Sequence, residues 1–192
     1  MDPINILISF NIVATFGANF SGAKKGLRTS MSNFRERPKT YLQAVPVTLA
    51  TICLLFLILG VFKVGVLDYS EKYQAFRLVS AVVYIIFSWL QVWAYKTLGP
   101  NYAQDIVILK KHELVTKGPY RLIRHPHYLA QILVDIGAAC AVMSYLVLPF
   151  AIIEIPLFIL RAVEEDKLLL KNFGQSFETY KKKSGFMIPF IG

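Results

Sequence analysis

Two runs without a charged side chain, Leu42–Phe62 and Leu78–Tyr95, constrain this chain more than any other feature of its sequence. At about 1.5 Å per helical residue, each is close to the length that crosses roughly 30 Å of hydrocarbon. The apolar fraction of 55% and the mean hydropathy of +0.50 exceed what a soluble domain of this size carries. At 192 residues the chain fits one domain. The expectation is an all-α, polytopic integral membrane protein.

The formal charge of +9 raises nucleic acid or acidic lipid as partners. The distribution of cations points instead to topology. Lys24, Lys25, Arg28, Arg35, Arg37 and Lys39 share one connection. Lys96, Lys110, Lys111, Lys117, Arg121 and Arg124 share another, and Arg161, Lys167, Lys171, Lys181, Lys182 and Lys183 lie in the tail. Only Lys63, Lys72 and Arg77 separate the two charge-free runs, so 18 of 21 cations lie on one side if the basic regions share it. By the positive-inside bias that side is the cytoplasm, and no nucleic-acid partner is expected. Cys53 and Cys140 sit in apolar stretches far apart and read as buried reduced thiols rather than a disulfide or metal site. Met1–Phe20 lacks the basic start and small-residue cleavage pattern of a signal peptide, so it reads as a retained first span with the N-terminus outside.

Along the chain, spans are expected at about residues 4–20, 42–66 and 75–98, with a basic connection over Ser21–Thr40. The apolar stretch Tyr128–Leu160 is too long for one helix and too short for two full crossings with a loop. Ser144-Tyr145 and Pro149 mark the turn of a tight helical hairpin, with Asp135 and Glu154 on its two arms. That makes about five transmembrane helices in one domain. Residues 99–127 and 161–192 are expected as cytoplasmic elements. Leu160–Lys183 reads as a separate amphipathic helix with Leu168, Leu169, Phe173, Phe177 and Tyr180 on one face.

Between the apolar segments lies Lys117–Tyr128, which packs cations, turn formers, two imidazoles and two phenols into twelve residues. Such a cluster is costly against lipid and implies a pocket for a polar ligand at the membrane boundary. His125 precedes Pro126, so an extended residue stands before a helix beginning near Pro126 or His127, well placed to meet an anion over the helix N-terminus. A metal centre is not expected, because His112 is the only other histidine. Arg161 and Glu165 are four apart and share a helix face where the hairpin leaves the membrane. The arginine can fork onto a carboxylate, and Glu165 can receive an ammonium. Spacing alone leaves an exposed intrahelical ion pair equally open. Gly-x-Gly-x-x-Gly, Gly-x-Ser-x-Gly, His-Glu-x-x-His and P-loop strings are all missing.

In order along the chain come His112-Glu-Leu-Val-Thr116, Gly118-Pro-Tyr120, Arg124-His-Pro-His-Tyr128, Arg161-x-x-Glu-Glu165, Phe173-Gly174, Tyr180-Lys-Lys and Pro189-Phe-Ile191. This series resembles the isoprenylcysteine carboxyl methyltransferases over about Gly99–Ile191, and in length the chain resembles their compact prokaryotic members. Arg-His-Pro-x-Tyr by itself is less specific, being shared with phospholipid methyltransferases and some membrane sterol reductases. The resemblance implies methylation, dependent on S-adenosylmethionine, of the carboxylate of a lipophilic prenylcysteine-like substrate. That substrate would reach the site from the bilayer. Membrane lipids are then the other partners, and a monomer is expected. The cofactor-binding residues implied are His112, Glu113, Leu114, Val115, Gly118, Tyr120, His125, Pro126, His127, Tyr128 and Glu165. Arg161 is implied at the substrate as the catalytic residue.

This chemistry fits the residues present. A carboxylate with a pKa of about 4 needs no general base at neutral pH. The protein must desolvate the carboxylate and align it with the methyl carbon. An amine acceptor, as in a phospholipid N-methyltransferase, must lose a proton and would want a base where Arg161 stands. A membrane reductase using NADPH would want added cations for the 2′-phosphate. A non-catalytic lipid-binding protein would bind no adenosine-containing ligand.

Overall fold

The computed structural model describes residues 2–32 and 34–192, with side chains described for 2–18 and 34–192. Helix α1 (Pro3–Ser32) is followed by strand β1 (Phe34–Glu36) and helices α2 (Val45–Val61) and α3 (Gln74–Leu98). A long connection holding strand β2 (Ile108–Leu109) leads to α4 (Pro126–Ala141), α5 (Val147–Phe173) and α6 (Gln175–Lys181). The strands form one small antiparallel ladder that pairs Phe34 with Leu109 and Glu36 with Ile108.

The helices pack through small residues. A Cβ on Gly137 would lie 3.0 Å from the backbone nitrogen of Tyr84, so α3 and α4 are nearly in backbone contact. Ala81, Ala138 and Ala141 are fully buried beside this crossing, joined by Ile8, Cys53, Leu57 and Val147. The outward surface is the reverse of a soluble protein's. Phe10, Val13 and Phe16 on α1, Leu55 and Leu59 on α2, Val79, Ile86 and Trp93 on α3, and Ile152 and Ile153 on α5 are all exposed. Tyr41–Val61 and Glu71–Asn101 are long and apolar enough to cross a membrane, yet only 28% and 33% of their most apolar windows are buried. A belt of this kind is covered by lipid, which fixes the chain as membrane-associated.

Three boundaries differ from the sequence expectation. The span expected over 42–66 ends at Val61, because Lys63 adopts φ 64° and its N–H, with that of Val64, returns to the carbonyls of Gly60 and Leu59. The first span and the start of the basic connection form one helix, α1, rather than two elements. The hairpin's second arm and the helix expected from Leu160 are also one helix, α5. Loss of hydrophobicity at Arg161 changes what surrounds the helix and leaves its backbone bonding unaltered. The break comes at Gly174, where φ is +49°. Pro156 is accommodated inside α5. The arms α4 and α5 meet over residues 142–146, where Ser144 Oγ caps the Val147 N–H and donates to the Gly65 carbonyl.

Arg77, just inside the span expected over 75–98, belongs to α3 and is 1% exposed. Its guanidinium donates to both oxygens of Asp2 at 2.9 and 3.0 Å, to the Ala141 carbonyl at 2.9 Å and to Asn5 Oδ1 at 3.2 Å. The Tyr69 ring lies 3.7 Å beneath it. One buried cation thus ties α1, α3 and α4 together at one end of the bundle. Asp2→Ala would leave that charge without its carboxylate and should cost about 3 kcal/mol, as other broken buried pairs do. Thermal unfolding in detergent should show a clear drop in midpoint, and an unchanged midpoint would refute the assignment.

Candidate active site

At the opposite end of α3 from Arg77, the helices and the 99–125 connection enclose a cavity of about 460 Å³. Its apolar wall comes from Val47, Ala50 and Leu54 on α2 and Phe158 on α5, and Gln91 and Gln131 line it from α3 and α4. Gln91 donates to Gln131 at 2.5 Å, and Gln131 donates to Asp135 at 2.6 Å. Asp135, Glu154 and Cys53 form a fully buried polar cluster.

Helix α5 supplies the charges. Arg161 and Glu165, one turn apart, both line the cavity. Arg161 is 2% exposed, and its donors are occupied by the chain itself. Nε donates to the Tyr128 hydroxyl at 3.0 Å, Nη1 to the carbonyls of Leu42 and Gln43, and Nη2 to the Gln104 carbonyl. These bonds engage four of the five guanidinium N–H groups, leaving one on Nη2. The bidentate fork onto a carboxylate that the sequence suggested is therefore not free. The guanidinium clamps the lead-in to α2, the 102–105 loop and α4 onto α5, and one N–H and the charge remain for a ligand. The Gln43 side chain reinforces this seam by pairing with both backbone groups of Ile106.

His125 has φ −120° immediately before α4, and Pro126 takes the first helical position. The ring does not cap the helix. Its Nε2 lies 2.8 Å from Asp166 Oδ1, and its Nδ1 lies 3.8 Å from Glu165 Oε2. It stacks on Tyr128 and meets the edge of Phe186. Burial alone would raise the Asp166 carboxyl, but the bond from His125 and the Arg124 guanidinium hold it below the usual carboxylate range. Arg124 lines the cavity and is anchored by the carbonyls of Lys181, Ser184 and Gly192. The 184–186 tail runs beside 122–125 through bonds of the Arg124 and His125 N–H groups to the Gly185 and Phe186 carbonyls.

Of the residues named from sequence, His112, Leu114, Val115, Tyr120, His125, His127, Tyr128, Arg161 and Glu165 line this one cavity. Glu113, Gly118 and Pro126 stand outside its lining. Glu113 is exposed and its N–H bonds Asn101 Oδ1. Gly118, at φ +59°, makes the close approach to Thr97 that precedes Tyr120. His112 Nδ1 accepts the Leu109 N–H, and desolvation lowers its pKa. Sequence reasoning did not single out Asn101, Tyr102 or Gln104, which also line the cavity with Tyr180 of the quoted Tyr180-Lys-Lys string, and gave no role to Asp166 behind it. Asp166 directly follows the Glu164-Glu165 pair, and that adjacency was the available signal.

His127 faces Tyr102 and Tyr128, and desolvation, assisted by the Arg161 charge, lowers its pKa to about 4. Unfolded histidine titrates near 6.5, so between about pH 6.5 and pH 4 the unfolded chain binds the extra proton and stability falls as pH falls. His127→Gln should flatten this acid loss in melts taken from about pH 7 down to about pH 5. An acid slope identical to that of the parent protein would contradict the assignment.

Residues 79–171, which carry most of α3, the connection, α4 and nearly all of α5, match the isoprenylcysteine carboxyl methyltransferase (ICMT) family. The chain is 32% identical over 105 residues to protein-S-isoprenylcysteine O-methyltransferase of Tribolium castaneum, covering 53% of this chain and 37% of that protein. It is 29% identical over 124 residues to a probable protein-S-isoprenylcysteine O-methyltransferase of Oryza sativa subsp. indica, covering 63% of this chain and 65% of that protein. With the Schizosaccharomyces pombe protein-S-isoprenylcysteine O-methyltransferase it shares 34% over 83 residues, 43% of this chain and 35% of the other. The chain thus spans between 35% and 65% of the length of these relatives. The segment that builds the cavity is thus the part of the chain that is similar to the isoprenylcysteine carboxyl methyltransferase family.

Proposed function

We propose that this chain is an S-adenosylmethionine-dependent carboxyl O-methyltransferase acting on a lipophilic, isoprenylcysteine-like acceptor at the cytoplasmic membrane face. The observation that carries the reading is the single cavity into which α5 presents Arg161 and, one turn on, Glu165, opposite the His125–Tyr128 start of α4. A zwitterionic cofactor beside an anionic acceptor needs both charge signs in one desolvated space.

The residues fit the cofactor. A volume of about 460 Å³ lies in the range that holds a ligand of this size. Leu114, Val115 and Tyr120 offer an apolar and aromatic wall for an adenine. Glu165 and His125 offer acceptors for an ammonium. When bound, S-adenosylmethionine supplies a methyl group made electrophilic by its sulfonium. Arg161, with its charge and its remaining N–H, orients the acceptor carboxylate. No residue needs to remove a proton, and His127 stays neutral beside Arg161. The clamp across Leu42, Gln43 and Gln104 walls one side of the cavity, and a bound ligand that displaces water there would strengthen the charge interactions inside it.

The membrane disposition follows the same logic. From Arg77 to Tyr95, α3 rises about 27 Å, close to the thickness of the hydrocarbon. The Asp2–Arg77 cluster would lie at the outer interface and the cavity at the inner one. With α1, α2, α3 and the two arms of the hairpin this gives about five spans, the N-terminus outside and the C-terminus in the cytoplasm. The acceptor's tail would enter from the bilayer between α2 and α5, a monomer sufficing for the site.

Purified protein incubated with labelled S-adenosylmethionine should methylate a farnesylated cysteine analogue and leave phosphatidylethanolamine unmodified. The opposite preference would overturn the carboxylate reading. Glu165→Gln should weaken S-adenosylhomocysteine binding about tenfold, the scale of one charge-assisted hydrogen bond, and calorimetry would register this directly.

A further inference from the structure

We infer that Asp166 is a positioning residue, fixing the tautomer of His125 so that its Nδ1 lone pair faces the cofactor's amino-acid end. The inference rests on the cofactor reading above and adds to it a residue that lies outside the cavity lining. Asp166 Oδ1 is 2.8 Å from His125 Nε2, a distance for a charge-assisted hydrogen bond with the ring nitrogen as donor. The other carboxylate oxygen accepts from Arg124 Nε at 3.2 Å. Arg124 therefore already neutralises Asp166, and the ring need not be charged to satisfy it.

The second ring nitrogen supports the same protonation state. His125 Nδ1 is 3.8 Å from Glu165 Oε2, beyond hydrogen-bond distance, so Nδ1–H is not donated to that carboxylate. With the proton held on Nε2, Nδ1 is an acceptor. Two acceptors, Nδ1 and Oε2, then stand 3.8 Å apart, within reach of a single ammonium. The ring cannot turn away from this arrangement. Tyr128 stacks on it with planes 7° apart, and Phe186 meets it edge-on with centroids 5.1 Å apart.

Asp166→Asn tests the point with little change of shape. The asparagine oxygen can still accept from Arg124, while its NH₂ donates to Nε2 and drives the proton to Nδ1. A donor would then face the ammonium where a lone pair stood. The comparison uses two ligands, S-adenosylhomocysteine and methylthioadenosine, which lacks the amino-acid end. The variant should bind S-adenosylhomocysteine about tenfold more weakly and hold methylthioadenosine within about twofold of the parent. Nitrogen-15 spectra of the imidazole should show Nε2 protonated in the parent protein and Nδ1 protonated in the variant. Equal loss for both ligands, or no loss for either, would overturn the inference. So would a parent spectrum with both ring nitrogens protonated, a measurement that needs no substitution. Parent protein that binds neither ligand would instead bring down the cofactor reading, and this inference with it.

Discussion

The site depends on how one buried guanidinium is satisfied. Arg161 is held away from water, and among the described residues carbonyl dipoles and a phenol accept its hydrogen bonds, with Glu165 and Asp105 adding to the stability of its charge. An isolated buried charge would be prohibitive, and four hydrogen bonds make it tolerable. Because the acceptors come from Leu42, Gln43, Gln104 and Tyr128, satisfying the charge also draws three separate parts of the chain onto α5. The cation that would meet a carboxylate ligand is therefore also the tie that encloses the cavity. Substituting it would remove both at once, which is why the ligand-facing roles are better resolved through Glu165 and Asp166.

The frame around this tie is rigid for identifiable reasons. The long helix α5 runs unbroken from the turn at residues 142–146 to Phe173, so the spacing of Arg161, Glu165 and Asp166 is set by helix geometry and not by a loop. Opposite it, Pro126 fixes where α4 starts, and the tail from Ser184 to Phe186 pins the two residues before that start. A Cβ on Gly185 would sit 1.8 Å from the Ile188 carbonyl, so the tail turns back at a position only glycine can occupy. At the other end Arg77 uses the opposite solution, a bidentate carboxylate, to hold α1 and α4 against α3.

Much of this is legible in the residues alone. The charge-free runs imply α2 and α3 because hydrocarbon-length apolar stretches have few other folds, and the third span, expected from residue 75 to 98, is the helix Gln74–Leu98. The i, i+4 spacing puts Arg161 and Glu165 on one face. Other features are hidden for physical reasons. Helix continuity through Leu160 cannot be read from hydropathy, which reports the solvent around a helix and not its backbone bonds. Three of the four Arg161 acceptors are carbonyls, up to 119 residues away, and every residue has a carbonyl, so no side-chain pattern reveals them. The Asp2–Arg77 pair, 75 residues apart, is equally silent in sequence.

The acidic triplet on α5 shows how a helix can assign three roles to three adjacent carboxylates. Successive residues point about 100° apart around the axis. Glu164 faces outward and pairs with Lys167 at 2.6 Å, an exposed contact of small consequence. Glu165 faces the cavity beside Tyr128 and remains beyond hydrogen-bond distance of His125. Asp166 turns behind the His125 ring and is shared between the ring and Arg124. Side-chain length matters at the last position. Asp166 meets both partners at 2.8 and 3.2 Å with one methylene fewer than glutamate, and a longer arm would push the imidazole toward the cavity. The ring is thus held from behind by a carboxylate outside the cavity lining, while the neighbouring carboxylate lines the cavity itself.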